Sequence, residues 1–399
     1  MKTMKVALLA SAALAAVSVS ARADDTAAIK AQLEALTARI AQLEAGPAVP
    51  VGYSLLTVSK QDAMVVPGLP EEDPGYKNKK ATVISVMPTA DVPATTTIEW
   101  SGYVRAAIVY HDFDGDSAAY DFEDEIDVHV KSSLKVIGRT ETAVGEVGVR
   151  MVLQAHWRDW EGSDNWSGKT DFADAFFDEV WGWWAMTPEL TLGGGKVGSL
   201  GNIGYGVDGA CTCHETDNAD IFLDPGAIQQ IRLTWASGPM TAAVAVEDGG
   251  AAPISRGLGA AAEVKFSGDT VNGEIAGVWR DGGGGGYEDL WQVGAGIGFG
   301  FGDMFALSIG AATGEIGGLA NEDYWVVSAL GTISLSESIS AEIGGGFKDY
   351  DVSGDVTAID VGLYYRPVSQ LNLGIEGEWA DTDGGDETFI AAFVTEFSF

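Results

Sequence analysis

From Ile98 onward, apolar and polar side chains alternate with a period of two. Ile98, Trp100, Val104, Ala106, Ile108 and Tyr110 share one parity; Glu99, Ser101, Tyr103, Arg105 and Ala107 share the other. The next run sets Ile126, Val128, Val130, Leu134 and Val136 against Asp127, His129, Lys131, Ser133 and Lys135. A third sets Val147, Val149, Met151, Leu153 and Trp157 against Glu146, Arg150, Gln154, His156 and Arg158. A two-residue period predicts β-strands with unlike faces. Alternation alone does not separate a soluble sandwich from a barrel whose apolar face meets lipid; number and punctuation do. About sixteen such segments of roughly ten residues follow one another, an even count and a membrane-crossing length. Tight connections (Thr187-Pro188-Glu189, Gly238-Pro239, Gly268-Asp269, Gly302-Asp303, Ser336-Glu337-Ser338) alternate with longer ones (His111 to Glu125, Trp160 to Phe172, Gly198 to Ala227, Asp381 to Glu387). Short turns at one end and long loops at the other suit a membrane barrel. The expected fold class is all-β, a 16-stranded antiparallel transmembrane β-barrel, preceded by a short periplasmic α-helical coiled coil.

Tryptophans give a second check. With the first strand rising from the periplasm, Trp100, Trp181, Trp183 and Trp235 are expected outward near the lower rim. Trp157, Trp279, Trp291, Trp325 and Trp379 then lie near the upper rim, which makes two aromatic girdles. Ala173 to Met186 carries aromatics on both parities, and the pattern does not orient it. The last strand sets Phe389, Ala391, Phe393, Thr395, Phe397 and Phe399 against Ile390, Ala392, Val394, Glu396 and Ser398. Such a row is an aggregation edge in water. It is expected to close a barrel, with Phe397 and Phe399 as the closing terminus; the alternative is a buried edge strand of a sandwich.

Composition adds a compartment. Mean hydropathy is only +0.09, which gives no excess for helical spans. The long apolar run is at the start: a basic Met1-Lys2-Thr3-Met4-Lys5, an apolar Val6 to Val19 and a small-x-small Ala21-Arg22-Ala23 predict a signal peptide over 1–23. A transmembrane anchor would need about 20 apolar residues. The net charge is −35, and the leader contains Lys2, Lys5 and Arg22 but no acid, so the remainder is more acidic still. Charge of this sign excludes nucleic acid as a partner and attracts cations.

Residues 24–46 are expected to form a coiled-coil helix. Ile29, Leu33, Leu36, Ile40 and Leu43 are spaced 4, 3, 4, 3, a seam of a and d positions among good helix formers. A single amphipathic helix lying on another surface is the alternative. Residues 47–96 read as a proline-containing linker, in which Tyr53 to Val58 and Ala81 to Met87 are able to pair as strands.

Residues Ile98-Glu99-Trp100-Ser101-Gly102-Tyr103-Val104-Arg105 are similar to the Ser-Gly-Tyr-Val-Arg opening strand of alphaproteobacterial general porins. A terminal phenylalanine after alternating aromatics resembles the closing strand of Gram-negative outer-membrane barrels. The resemblance covers about residues 97–399, the expected barrel. It implies a homotrimeric, water-filled channel in outer-membrane lipid, inserted by the barrel assembly machinery and passing small hydrophilic solutes and ions. It also implies narrowing by the loop after the fifth strand. Those porins usually begin their first strand near the mature terminus, without the coil and linker seen here.

That loop, about 198–227, holds Asp208, Glu215, Asp217, Asp220 and Asp224 and no lysine or arginine. Arg105, Lys131, Lys135 and Arg150 face the lumen from the first three strands. An acidic inward loop opposite a basic wall would set a transverse field across a constriction. The alternative is an outward loop with solvated charges. Cys211-Thr212-Cys213-His214 supplies at most three metal ligands, so a local Cys211–Cys213 bridge is expected rather than a metal site. The spacing of Asp112, Asp114 and Asp116 starts like a calcium loop, but Gly115 comes too early. No nucleophile–base pair is readable, so neither catalysis nor a cofactor is expected. The function expected is a weakly cation-preferring diffusion channel; the alternatives are a structural anchor or spacer using the coil, or a substrate-selective channel.

In the isolated segment 24–45, replacing Leu36 and Ile40 by aspartate is expected to lower helicity and weaken self-association. Sedimentation and circular dichroism check it, and a wild-type segment that stays monomeric at high concentration removes the coiled coil.

Overall fold

The computed structural model describes residues 56–62, 66, 67, 69, 80–86, 96–114, 125–157, 175–216, 225–249, 257–282, 288–302, 304–317, 322–383 and 387–399. The expected signal peptide and the coil seam of Ile29, Leu33, Leu36, Ile40 and Leu43 lie outside the described residues.

The strands are β1 (Leu56–Asp62), β2 (Lys80–Val86), β3 (Thr96–Asp114), β4 (Glu125–Thr142), β5 (Gly145–Trp157), β6 (Ala175–Ala185), β7 (Leu190–Gly198), β8 (Ala227–Ser237) and β9 (Met240–Asp248). They continue as β10 (Leu258–Ser267), β11 (Val271–Arg280), β12 (Leu290–Phe301), β13 (Phe305–Ile316), β14 (Glu322–Ser334), β15 (Ile339–Tyr350), β16 (Gly354–Val368), β17 (Leu371–Thr382) and β18 (Glu387–Ser398). From β3 to β18 each strand pairs antiparallel with its successor. β18 then returns to β3, with Ser398 opposite Tyr103 and Glu387 opposite Asp114, and this closes a sixteen-stranded barrel.

Turn chemistry fixes the short end. Gly238 and Gly302 adopt φ of +57° and +64° between β8 and β9 and between β12 and β13, a region that costs glycine little and other residues much. The alternation is realised in three dimensions. On β8, Ile231, Leu233 and Trp235 point outward and are exposed, whereas Ile228, Gln230, Arg232 and Thr234 point inward and are buried. The buried set across the barrel includes Glu99, Arg105, His129, Arg150, Glu247, Glu376 and Glu396, while the exposed set is Val, Ile, Leu, Phe and Trp. Apolar outside and polar inside is stable in lipid and not in water. Both girdles form in part as expected: Trp100 and Trp235 are exposed at the short-turn end, as are Trp279 and Trp325 at the other. Four tryptophans at the long-loop end donate Nε1–H to carboxylates: Trp279 to Asp289 (3.1 Å), Trp291 to Glu315 (2.9 Å), Trp325 to Asp349 (2.7 Å) and Trp379 to Glu387 (2.6 Å). Each indole thus has an apolar body toward lipid and a satisfied polar edge.

The expected outward placement of Trp181 and Trp183 is wrong. Both point into the lumen and are 2% and 3% exposed, and Trp184 takes the outward position, its Nε1 donating to Val144 O at 2.7 Å. The cause is a register shift between β5 and β6: Val152 pairs with Glu179, and Leu153 pairs with Phe177. The extra residue, Asp178, bends the strand and changes its parity. Asp178 accepts from Gln154 Nε2 at 2.7 Å and Glu179 lies 2.6 Å from Arg150, so two successive carboxylates turn inward.

The stretch expected as a linker contains β1 and β2, which pair from Leu56 opposite Val86 to Asp62 opposite Lys80. β2 also pairs with β3, Thr82 opposite Trp100 and Val86 opposite Thr96. β4 holds the other edge of β3 from Thr96 to His111. The hairpin therefore takes over the β3 edge where β18 ends. At that junction Phe399 N donates to Gly102 O at 3.0 Å, and a Cβ on Gly102 would sit 3.0 Å from the Phe399 ring.

Deleting Phe399 removes that last rung and ring contact. The expected outcome is export at normal levels with much less heat-modifiable barrel, checked by cell fractionation and by gel mobility of unheated samples. Normal amounts of folded barrel would contradict it.

Candidate functional site

The described part of the chain between β7 and β8, residues 199–216 and 225–226, folds into the lumen. Its stem is gripped by wall side chains: Ser199 Oγ donates to Glu247 (2.8 Å), which also faces Arg280 at 3.0 Å, and Arg280 Nη1 donates to Pro225 O (2.7 Å). Arg232 Nη2 donates to Gly198 O at 2.7 Å, and Gln292 Nε2 donates to Gly201 O at 2.8 Å. Beyond the stem the loop follows the wall across successive strands. Gly204 N donates to Glu274 on β11, Gly206 N to Ser308 on β13 (2.9 Å) and Val207 N to Ser328 on β14 (2.8 Å). Helix α1 (Gly206–Ala210) is a single turn in this path. Thr212 N and Oγ1 then donate to the two oxygens of Glu342 on β15, at 2.7 and 2.6 Å. His214 N and Glu215 N both donate to Glu376 Oε2 on β17, at 2.9 and 3.0 Å. Three wall carboxyl groups thus accept from orphan backbone donors of the loop, which would otherwise be buried without a partner.

Packing explains why the loop lies against this wall. Ile203 is fully buried among Ala276, Ala312, Tyr324, Val326, Ala358 and Ala380, with Tyr205 beside it. Gly294 and Gly296 on β12 present bare backbone there: a Cβ on Gly294 would sit 2.7 Å from Ile203, and one on Gly296 would overlap the Tyr205 ring. Small residues at alternate, lumen-facing positions leave the space that a loop needs. Sequence reasoning missed Glu274, Glu342, Glu376, Ser308 and Ser328 as anchors; alternating glycines on the lumen parity of β12 were the available signal.

Of the expected acidic residues, Glu215 is placed at the wall: its Oε2 lies 2.8 Å from His129 Nδ1 on β4, and both are buried. Asp217, Asp220 and Asp224 lie outside the described residues, and Asp208 falls in α1. The four basic residues do share the lumen side of β3, β4 and β5. Arg105 pairs with Glu396 at 2.8 Å and Arg150 with Glu179 at 2.6 Å, while Lys131 and Lys135 continue the face of His129. Wall carboxylates therefore partner the two arginines. Lys265, on β10, sits 2.6 Å from Glu263 and 3.2 Å from Glu274, a further pairing on the opposite wall. Cys211 and Cys213 form the local bridge expected, with Cα atoms 5.2 Å apart, and flank Thr212, the residue bound to Glu342.

Below the loop, toward the short turns, lies a lumen cavity of about 1560 Å³. Thr191, Thr234, Lys265, Asn272, Ser308 and Thr332 line it with polar atoms, and Tyr205 and Thr212 of the loop form its roof.

Glu376→Ala leaves two loop N–H groups without their acceptor, and Glu342→Ala removes two hydrogen bonds more. Each is expected to lower barrel stability by about 1–3 kcal/mol, the range for leaving a buried donor without its acceptor. Thermal unfolding in detergent checks it, and limited proteolysis near Thr212 should accelerate in the same variants.

No family model matches this sequence, and comparison with curated proteins returns no match. Among solved structures, two engineered variants of a Rhodopseudomonas blastica porin are similar to the chain. Both align with TM-score 0.50, at 16% and 17% identity, over 76% of this chain and 100% of theirs. Identity at this level speaks for architecture. The chain has the porin fold, a closed sixteen-stranded antiparallel β-barrel.

Proposed function

We propose that the chain is an outer-membrane porin, a water-filled channel for passive diffusion of small hydrophilic solutes and ions in a Gram-negative envelope. The observation that carries this reading is the loop held inward on Glu274, Glu342 and Glu376, narrowing a lumen lined by polar and charged side chains. A barrel serving only as an anchor has no use for an inward loop gripped at so many points. The outward apolar surface fits contact with lipid. A homotrimer, insertion by the barrel assembly machinery, and a periplasmic coil over residues 24–46 belong to the same proposal.

The selectivity proposed is weakly cationic. In the described wall, Arg105, Arg150 and Arg280 each face a carboxylate, so close pairing cancels much of the lumen charge. With the chain at −35 overall, unbalanced negative charge falls largely to loops and mouths. Charge at a mouth is screened over about 8–10 Å at ordinary salt. Cation preference should therefore weaken as salt rises.

Planar-bilayer reversal potentials test this. The expected result is modest cation preference at low salt that falls at high salt and falls further when Asp217, Asp220 and Asp224 become asparagine. Anion selectivity of the wild type at low salt, or an unchanged triple variant, would remove the acidic loop from the constriction.

A further inference from the structure

We infer that Val66, Pro67 and Leu69 form a resident strap, seated in the short-turn mouth of the barrel, that obstructs the channel in series with the inward loop. The inference rests on the channel reading and adds a second size-limiting element to it.

The first observation is the seat. A water-filled lumen favours polar inward side chains, yet β6 turns two indoles inward, Trp181 and Trp183. The wall is cut to receive them. Gly193 on β7 lies under the Trp181 ring and Gly148 on β5 lies under the Trp183 ring, and a Cβ at either glycine would overlap the indole. Trp183 Nε1 donates to Glu146 at 3.0 Å, and the Arg232 guanidinium lies 5.5 Å from the Trp181 ring, so both rings are fixed in place.

The second observation is the occupant. Val66 and Leu69 are 3% and 8% exposed and belong to one apolar cluster with Trp181, Trp183, Ile137 and Val197. Leu69 N donates to Val66 O at 3.1 Å, a local turn that presents both side chains together. Val66, Pro67 and Leu69 border the lumen cavity along with Glu189, Thr191 and Thr234, so they stand in the path toward the short-turn end.

The third observation is the tether. β2 is hydrogen-bonded to β3, and its Ala81 and Val83 are buried, so the strap cannot diffuse away when it leaves its seat. Seating also has an opposing cost. Trp181 Nε1 is buried without an acceptor, and water would satisfy it once the strap lifted. Apolar contact favours the seated state, and the unmet donor opposes it.

The test uses the full chain in planar bilayers, comparing wild type with a Val66→Asp, Leu69→Asp double variant. Aspartates cannot rest on indoles, and the lumen wall is untouched. Single-channel conductance is expected to rise roughly twofold or more when the obstruction leaves the mouth. Folding is followed by heat-modifiable mobility. Unchanged conductance in a folded double variant overturns the strap while leaving the channel reading intact. Silence of both proteins overturns the channel reading, and the strap with it. A silent wild type beside a conducting variant supports a strap that closes the pore. Should the double variant not fold, Val66→Cys alone decides. A membrane-impermeant maleimide is expected to label it roughly tenfold more slowly than Ser336→Cys at an exposed turn, the ratio reporting burial of the seated strap. Equal labelling rates overturn the inference.

Discussion

Hydrocarbon offers no hydrogen bonds, so each peptide group within the membrane must find its partner in the protein. The ladder between β18 and β3 meets that requirement, and most other features follow from it. An antiparallel closure sets an even number of strands, which returns β18 to the edge where β3 began. Closure also forces the segregation of faces, since a strand ringed by neighbours has only lipid on one side and lumen on the other. Ile231, Leu233 and Trp235 meet the first, and Gln230, Arg232 and Thr234 meet the second. The same requirement gives the hairpin a place. β18 stops at Gly102, but β3 extends below it to Thr96, and β2 completes that edge.

A narrow polar interior brings its own constraint, because a buried charge is costly unless it is paired. The wall meets this by pairing across strands: Arg105 with Glu396, Arg150 with Glu179, Arg280 with Glu247. Carboxylates outnumber these cations, and several of the remainder act as acceptors for the backbone of the inward loop. Glu274, Glu342 and Glu376 are therefore structural acceptors, although counting residues by parity makes them look like charges offered to passing ions. Acid content and channel selectivity are thus less closely linked in this fold than the net charge suggests.

The barrel was legible in the sequence because alternation, strand length and turn position all report on the same requirement. Where two of those signals conflicted, the sequence misled. In β6 the parity changes at Asp178, and a bulge is set by the pairing of β6 with β5, which no pattern within β6 reveals. Trp181 and Trp183 were accordingly expected on the wrong face. The inward loop was legible as a long acidic connection, but its anchors were not. They are scattered over β8, β9, β11, β12, β13, β14, β15 and β17, so only the closed barrel brings them to one path. The strands β1 and β2 were visible as short apolar runs among prolines, whereas their attachment to β3 depends on where β18 ends.

The manner of anchoring separates two tasks in the loop. Gly204, Gly206, Val207, His214 and Glu215 are all held through their backbone N–H groups. Backbone donors are the same whatever side chain is attached, so the path of the loop depends on the wall more than on the identity of loop residues. Side chains add to this at Ile203 and Tyr205 over Gly294 and Gly296, at Thr212, whose hydroxyl adds a bond to Glu342, and at Glu215, whose carboxyl group meets His129. Val66 and Leu69 are held in the opposite way, by apolar contact with two indoles. Polar anchoring by buried carboxylates is directional and fixes one position. Apolar contact is non-directional and scales with the surface removed from water. One lumen therefore holds a loop anchored by polar bonds and a segment seated by apolar contact.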